Sequence, residues 1–164
     1  MTLATRIGVM DEGEIVQVGE PHEIYEFPRT RFVADFVGSI NMFEGRVIDD
    51  EVDHVTIRSV EAGCDLYVDH GISCGPDQKV WFAVRPEKIL LSRERPEGEV
   101  NIAPGVVEEV AYLGELSVYR VILDSGKRIR VTKPNLDRHN DGAIRWDETV
   151  YAHWGPASGV VLLS

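Results

Sequence analysis

The chain has 164 residues, 43% of them hydrophobic, with 28 acidic against 17 basic side chains and a formal charge of −11. That is enough apolar material for one ordinary domain, or a small domain with a short flanking segment, while the negative balance disfavours nucleic-acid phosphates and anionic lipid headgroups as partners. No run of about 18 apolar residues occurs, so no direct membrane insertion is expected. Met1–Met10 lacks the basic-then-apolar order of a signal peptide, and a cytoplasmic chain is expected.

Taken in order, Ile7 and Val9 alternate before Asp11-Glu12-Gly13, and Val16 and Val18 alternate after it. Gly13 can take positive φ without a Cβ clash, so a β-hairpin is predicted here. Gly19 ends the second strand. Pro21 suits the first turn of a helix, which must stop before Pro28 because the proline ring pushes Phe27 out of the α region. Glu20 stands at the cap position, where a carboxylate meets the positive end of the dipole but Ser or Thr is more usual. A second short helix is predicted over Arg31–Val37, capped by Thr30, with Phe32, Val33, Phe36 and Val37 as its apolar stripe and Gly38 at the position after the last turn.

From Ser39 onward short β runs replace helices. Strands are predicted at Met42–Ile48, Val55–Ile57, Leu66–Val68, Val80–Arg85, Ile89–Leu91, Val106–Tyr112, Leu116–Leu123, Arg128–Thr132, Thr149–Trp154 and Val160–Leu163. Asp124-Ser125-Gly126 is a hairpin loop, Gly114 breaks another pair, Pro134-Asn135 ends a strand, and Arg138-His139-Asn140-Asp141-Gly142 reads as a polar turn. There is also an internal echo. Val80–Ser92 and Val150–Ser164 are each strand, proline turn, apolar strand and terminal serine, and Glu44–Ile48 resembles Pro104–Glu108. Two tandem copies of one β unit, forming a small barrel or sandwich, are the expected fold.

The run from Arg6 to Pro28, followed by Arg31-Phe32-Val33-Ala34-Asp35-Phe36-Val37-Gly38, resembles the closing segment of the ATPase domain of ABC importers. Twelve of its residues carry the match: Arg6, Ile7, Val9, Met10, Gly13, Ile15, Gln17, Gly19, Pro21, Ile24, Tyr25 and Pro28. Arg85-Pro86-Glu87 and Tyr112-Leu113-Gly114-Glu115 resemble the R-P-E and Y-L-G-[DE] motifs of the transport-associated OB (TOBE) domain that follows it. The overall pattern is most similar to the ATP-binding subunit of putrescine/spermidine importers.

This resemblance implies a mainly β, OB-fold-like TOBE region at residues 39–164, preceded by a hairpin and two short helices at 1–38 that close an ATPase domain. In that family the phosphate-binding loop, Walker B carboxylates, signature loop and switch histidine precede the segment present here. No G-x-x-x-x-G-K-[ST] occurs in this chain, which is therefore expected to be the C-terminal part of a longer ATPase and to hydrolyse nothing alone. No cofactor is expected in the chain, with ATP and Mg²⁺ belonging to the longer parent. The implied partners are a second copy, touching through the OB lobes, and membrane-spanning permease subunits on the cytoplasmic face of the inner membrane. Arg85, Pro86, Glu87, Tyr112, Leu113, Gly114 and Glu115 are expected as structural or interface positions.

Weighed as chemistry, Arg85 and Glu87 could grip a ligand or partner, or simply hold a strand exit through local bonds. His22, His54, His70, His139 and His153 show no metal-ligand spacing, so no metal site is expected. Cys64 and Cys74 fit no zinc or redox motif and are expected as reduced thiols. Asp49, Asp50, Glu51 and Asp53 read as a solvated turn, and Glu108-Glu109 as strand-surface charge. No serine sits in a G-x-S-x-G setting. Trp81, Trp146, Trp154, Tyr112 and Tyr119 are expected to pack in a core or interface. A base-stacking platform would need a positive groove, so no nucleic-acid partner is expected. The alternative function is a stand-alone OB module binding a small oxyanion or a polyamine.

Overall fold

The computed structural model describes residues 3–136 and 142–164, so the predicted polar turn at 138–142 lies outside it except for Gly142. The hairpin forms as β1 (Ile7–Asp11) and β2 (Glu14–Gly19), with Glu12 and Gly13 both at positive φ, 47° and 87°. Helix α1 runs Pro21–Glu26 and α2 Arg31–Phe36, the latter capped by the Thr30 hydroxyl, which accepts from the Val33 N–H at 3.3 Å. Ten further strands follow: β3 (Asn41–Asp50), β4 (Val55–Ser59), β5 (Cys64–Val68), β6 (Lys79–Val84), β7 (Leu90–Ser92), β8 (Asn101–Tyr112), β9 (Leu116–Leu123), β10 (Arg128–Pro134), β11 (Thr149–Trp154) and β12 (Gly159–Leu162). A 3₁₀ turn at Pro86–Lys88 separates β6 from β7.

Two predicted apolar faces divide differently. In β2, Val18 is 42% exposed and Val16 borders on exposed, while Gln17 is buried. The inward carboxamide is the reason: Gln17 Nε2 donates to the Phe27 carbonyl at 3.0 Å and Oε1 accepts from the Arg29 N–H at 2.9 Å, tying the hairpin to the end of α1. In α2 the stripe splits. Val33 is buried with Val9 and Ile24, whereas Phe32 and Phe36 point outward and stack on each other at 5.8 Å.

The remaining strands form two five-stranded antiparallel sheets, β12-β6-β3-β4-β5 and β10-β9-β8-β11-β7, curled around one shared core. The tandem units are present but interlocked. The last short strand of each unit leaves its own sheet: β7 pairs with β11 of the second unit, and β12 pairs with β6 of the first. Matching positions do matching work. Gly45 and Gly105 each sit where a Cβ would crowd the neighbouring strand, 2.8 Å from Arg58 O and 2.5 Å from Ile122 O. Each is followed by a register shift, between Val47 and Asp49 and between Val107 and Glu109, a bulge that bends the strand so the sheet can curl.

Two asparagines fasten the sheets together. Asn41 Nδ2 donates to Arg130 O and its Oδ1 accepts from Arg130 N–H, both at 2.8 Å. Asn101 does the same to Tyr67, at 2.9 and 2.7 Å. Each carboxamide replaces a missing neighbour strand at a sheet edge, and both side chains are buried. Asn101→Ala leaves an edge N–H and C=O unpaired and is expected to cost about 2 kcal/mol. Chemical denaturation checks this, and a loss under about 0.5 kcal/mol would contradict the pairing.

The predicted aromatic group divides. Trp154 stacks on Phe43 and Phe82 at 5.8 and 6.1 Å in the core, and Tyr119 is buried beside them. Trp81 lies under the Arg31 guanidinium at 3.9 Å. Tyr112 and Trp146, by contrast, are 69% and 70% exposed. Cys64 and Cys74 are unbridged and pack against the core rim. The acidic turn after β3 is more ordered than a solvated loop: Asp50 accepts from the Ile72 and Cys74 N–H groups at 2.9 and 2.6 Å.

In the same turn His54 sits between Asp53 (2.9 Å) and Asp49 (3.0 Å) and stacks on Tyr67. Hydrogen bonds to Asp53 and then Asp49 raise its pKa above the ordinary 6.5. The imidazolium therefore stabilises the fold fully below that ordinary value, and the contribution is lost as pH rises through the raised one. An NMR titration is expected to give a midpoint above 6.5 that falls in Asp53→Asn. A midpoint at or below 6.5 would contradict the pairing.

Candidate functional site: an arginine clamp between helices and barrel

β6 ends at Val84, and Pro86 holds Arg85 extended, with φ −70° and ψ 145°. That geometry sends the Arg85 side chain out of the sheet into the hairpin-and-helix segment, where the residue is only 3% exposed. Nη1 donates to three carbonyls, Ala34 (3.0 Å), Gly38 (3.0 Å) and Ser39 (3.2 Å), and Nη2 to that of Tyr25 (3.0 Å). The guanidinium carbon also lies 4.1 Å from the centre of the Tyr25 ring.

These acceptors have a common origin. Tyr25 is in the last turn of α1, Ala34 in that of α2, and Gly38 and Ser39 follow α2. The last carbonyls of a helix lack intrahelical partners and carry the negative end of its dipole. One planar guanidinium satisfies orphans from both helices at once, a task for which arginine's fork of donors is suited and lysine's point charge is not. Burial lowers the Arg85 pKa, yet an arginine remains charged in this setting. Its Nε has no partner among the described residues.

The next residues extend the grip. Glu87 Oε1 accepts from the Tyr25 hydroxyl at 2.5 Å. Desolvation first, and then that bond to a carboxylate, push the Tyr25 pKa up to about 12. Lys88 pairs with Glu26. The contacts of Arg85 and Glu87 are therefore not local to the strand exit: they reach back to the helices. Helix α2 is also held on its other face by Ala34 against Ala83 and Leu162, and at its start by the Arg31 N–H donating to the Ser164 carbonyl at 2.8 Å.

The second predicted group, Tyr112-Leu113-Gly114-Glu115, forms the tip of the β8–β9 hairpin. Gly114 takes φ 89°, and Leu113 N–H donates to Leu116 O at 2.8 Å. Asn135 braces the tip, donating from Nδ2 to Gly114 O (2.9 Å) and from its backbone N–H to Glu115 O (2.8 Å). Tyr112 and Leu113 are left exposed. Among the described residues no hydrogen bond or ion pair joins this tip to the Arg85 clamp, so the two motifs serve separate places.

The described residues contain no group of three or more His, Cys, Asp or Glu placed to hold a metal ion, and no helix long and apolar enough to cross a membrane. Sequence reasoning missed Asn41 and Asn101, and it named Gln17 and Asn135 without their bracing roles. For the first two a signal was there: Asn41 precedes Gly45 as Asn101 precedes Gly105, inside the region of the repeat.

Comparison with known proteins agrees with this architecture. Residues 82–162 match the TOBE domain family model. The chain is 44% identical over 162 residues to the putrescine transport ATP-binding protein PotG of Escherichia coli, an alignment covering 99% of this chain and 43% of that protein. It is 37% and 34% identical to the spermidine/putrescine import ATP-binding proteins PotA of Treponema pallidum and Thermotoga maritima, covering 45% of each. The chain thus spans less than half the length of these curated relatives. A solved structure of the cytoplasmic molybdate-binding protein ModG, with molybdate bound, superposes with a TM-score of 0.63 at 16% identity, over 74% of this chain and 94% of that one, a likeness of fold alone. Residues 82–162 therefore match the TOBE domain family, and the chain as a whole is similar to the C-terminal part of putrescine and spermidine/putrescine import ATP-binding proteins.

Proposed function

We propose that this chain is the regulatory and dimerisation portion of an importer ATP-binding subunit for putrescine or spermidine. Residues 1–38 are the closing segment of the ATPase domain and residues 39–164 the TOBE domain. In this reading the full subunit binds ATP and Mg²⁺, works with membrane-spanning permease subunits on the cytoplasmic face of the membrane, and pairs with a second copy through its β lobes. The chain by itself turns over no nucleotide, because the phosphate-binding sequence is not among its residues.

The observation that carries this reading is the Arg85 clamp. A single side chain rooted in the barrel closes the ends of both helices, so movement of the ATPase segment must carry the barrel with it. The test is a chimera in which this chain replaces the corresponding part of PotG in a strain lacking its own copy. Putrescine uptake is expected to be restored. A stably produced chimera that supports no uptake would contradict the proposal. ATP turnover by the isolated chain would contradict its non-catalytic role, and light scattering showing only an 18.4 kDa species at high concentration would contradict self-association.

A further inference from the structure

A groove of about 600 Å³ opens where α2 meets the start of β3 and the turn from β9 into β10. Phe32 and Phe36 line it with aromatic rings, and Ile40 and Met42 with aliphatic surface. The two rings stack at 5.8 Å with 19° between their planes. Phe36 is 65% exposed, so the face of its ring turned away from Phe32 is open. Neither ring belongs to the apolar clusters that build the core.

The same groove gathers positive charge in a chain whose formal charge is −11. Arg31, Lys127 and Arg128 line it against one carboxylate, Asp35. Each cation is braced by a neighbour. Arg31 lies over Trp81, Lys127 pairs with Glu61 at 3.1 Å, and Arg128 pairs with Glu108 at 3.0 Å. The bracing leaves them within reach of a ligand, with the Lys127 and Arg128 side chains 31% and 66% exposed. Glu61 and Glu108 offset part of this charge, so an anion alone is held weakly. A stacking ring has to supply the rest.

An open aromatic face beside anchored cations suits a planar ring that carries phosphate: the ring stacks and the phosphate takes charge-assisted hydrogen bonds. We propose that this groove binds a purine nucleoside phosphate, its base on the open face of Phe36 and its phosphates between Lys127, Arg128 and Arg31. The groove is of the size that holds a ligand of this class. A nucleic-acid strand is a poor occupant, because the acidic balance of the chain as a whole repels a long polyanion.

Magnesium-free ATP is the probe, titrated into the isotope-labelled chain and followed by amide NMR. No G-x-x-x-x-G-K-[ST] occurs in the chain, so ATP bound here is not bound by a phosphate-binding loop. Saturable shifts of the Phe36 and Lys127 amides are expected. Adenosine, which lacks the charge, and tripolyphosphate, which lacks the ring, are each expected to bind at least about ten-fold more weakly. Phe36→Ala is expected to weaken ATP about ten-fold. Asp35→Asn removes the carboxylate in the lining without removing a ring and is expected to tighten ATP about two-fold. No saturable shift in the groove, adenosine or tripolyphosphate binding as tightly as ATP, or ATP binding unaltered by both substitutions would each overturn the proposal.

Discussion

Replacing Arg85 with methionine is expected to destabilise the chain by about 3 kcal/mol, the largest effect of any single substitution outside the apolar core. Methionine keeps most of the buried volume, so the loss is electrostatic and not a cavity. Four carbonyls in and just after the last turns of the helices then lose their Arg85 donor, that of Ala34 at a buried position and the others partly buried. Arg85→Lys is expected to recover less than half of the loss, because an ammonium cannot span carbonyls from two helices at once. Equilibrium denaturation of both variants checks this ordering. A lysine variant as stable as the parent would mean that charge alone, and not the planar fork, does the work.

The second large effect follows from the exchanged strands. Removing residues 159–164 deletes β12, whose Leu162 is buried against Ala34 and Ala83. By chain order this truncation trims the second unit. By strand pairing it damages the first, baring the edge of β6 and the outer face under α2. The expected outcome is loss of cooperative unfolding, with disturbed NMR signals concentrated at residues 31–50 and 79–85. An unfolded β8–β11 sheet beside an intact β3–β6 sheet would contradict the exchange. With β6 still paired to β3 but bare on its outer side, the truncated chain has an exposed strand edge and is expected to associate.

How far such features could be read in the sequence depends on the range of the interaction behind them. The β1–β2 hairpin and both helix starts were legible, because Gly13, Pro21 and Thr30 act through their own backbone or nearest neighbours. The two tandem units were legible from the echoes around Gly45/Gly105 and Pro86/Pro156. Their interlocking was not: period-two alternation identifies strands but says nothing of which edge a three- or four-residue strand joins.

The inward Gln17 was hidden for a related reason. Alternation marks Val16 and Val18 as the buried face, but the need to tie down the chain at Phe27 and Arg29 outweighs it. Arg85 was singled out by its motif, yet its acceptors are main-chain carbonyls, which any residue supplies, so no pattern could name Tyr25, Ala34, Gly38 and Ser39 as its partners. The exposed tip at Tyr112 and Leu113 was named by resemblance, while its brace, Asn135, lies on the far side of two strands.

The most direct test of the clamp is site-resolved hydrogen exchange of the parent chain against Arg85→Met. The N–H groups of Ile24, Phe27, Ala34 and Val37, each bonded within the helical segment, are expected to lose protection together in the variant. Those of Val107, Leu123 and Asp147 in the second sheet and its loops should keep theirs. Uniform loss across both groups, or none in the helices, would contradict the claim that Arg85 holds the helix ends to the barrel.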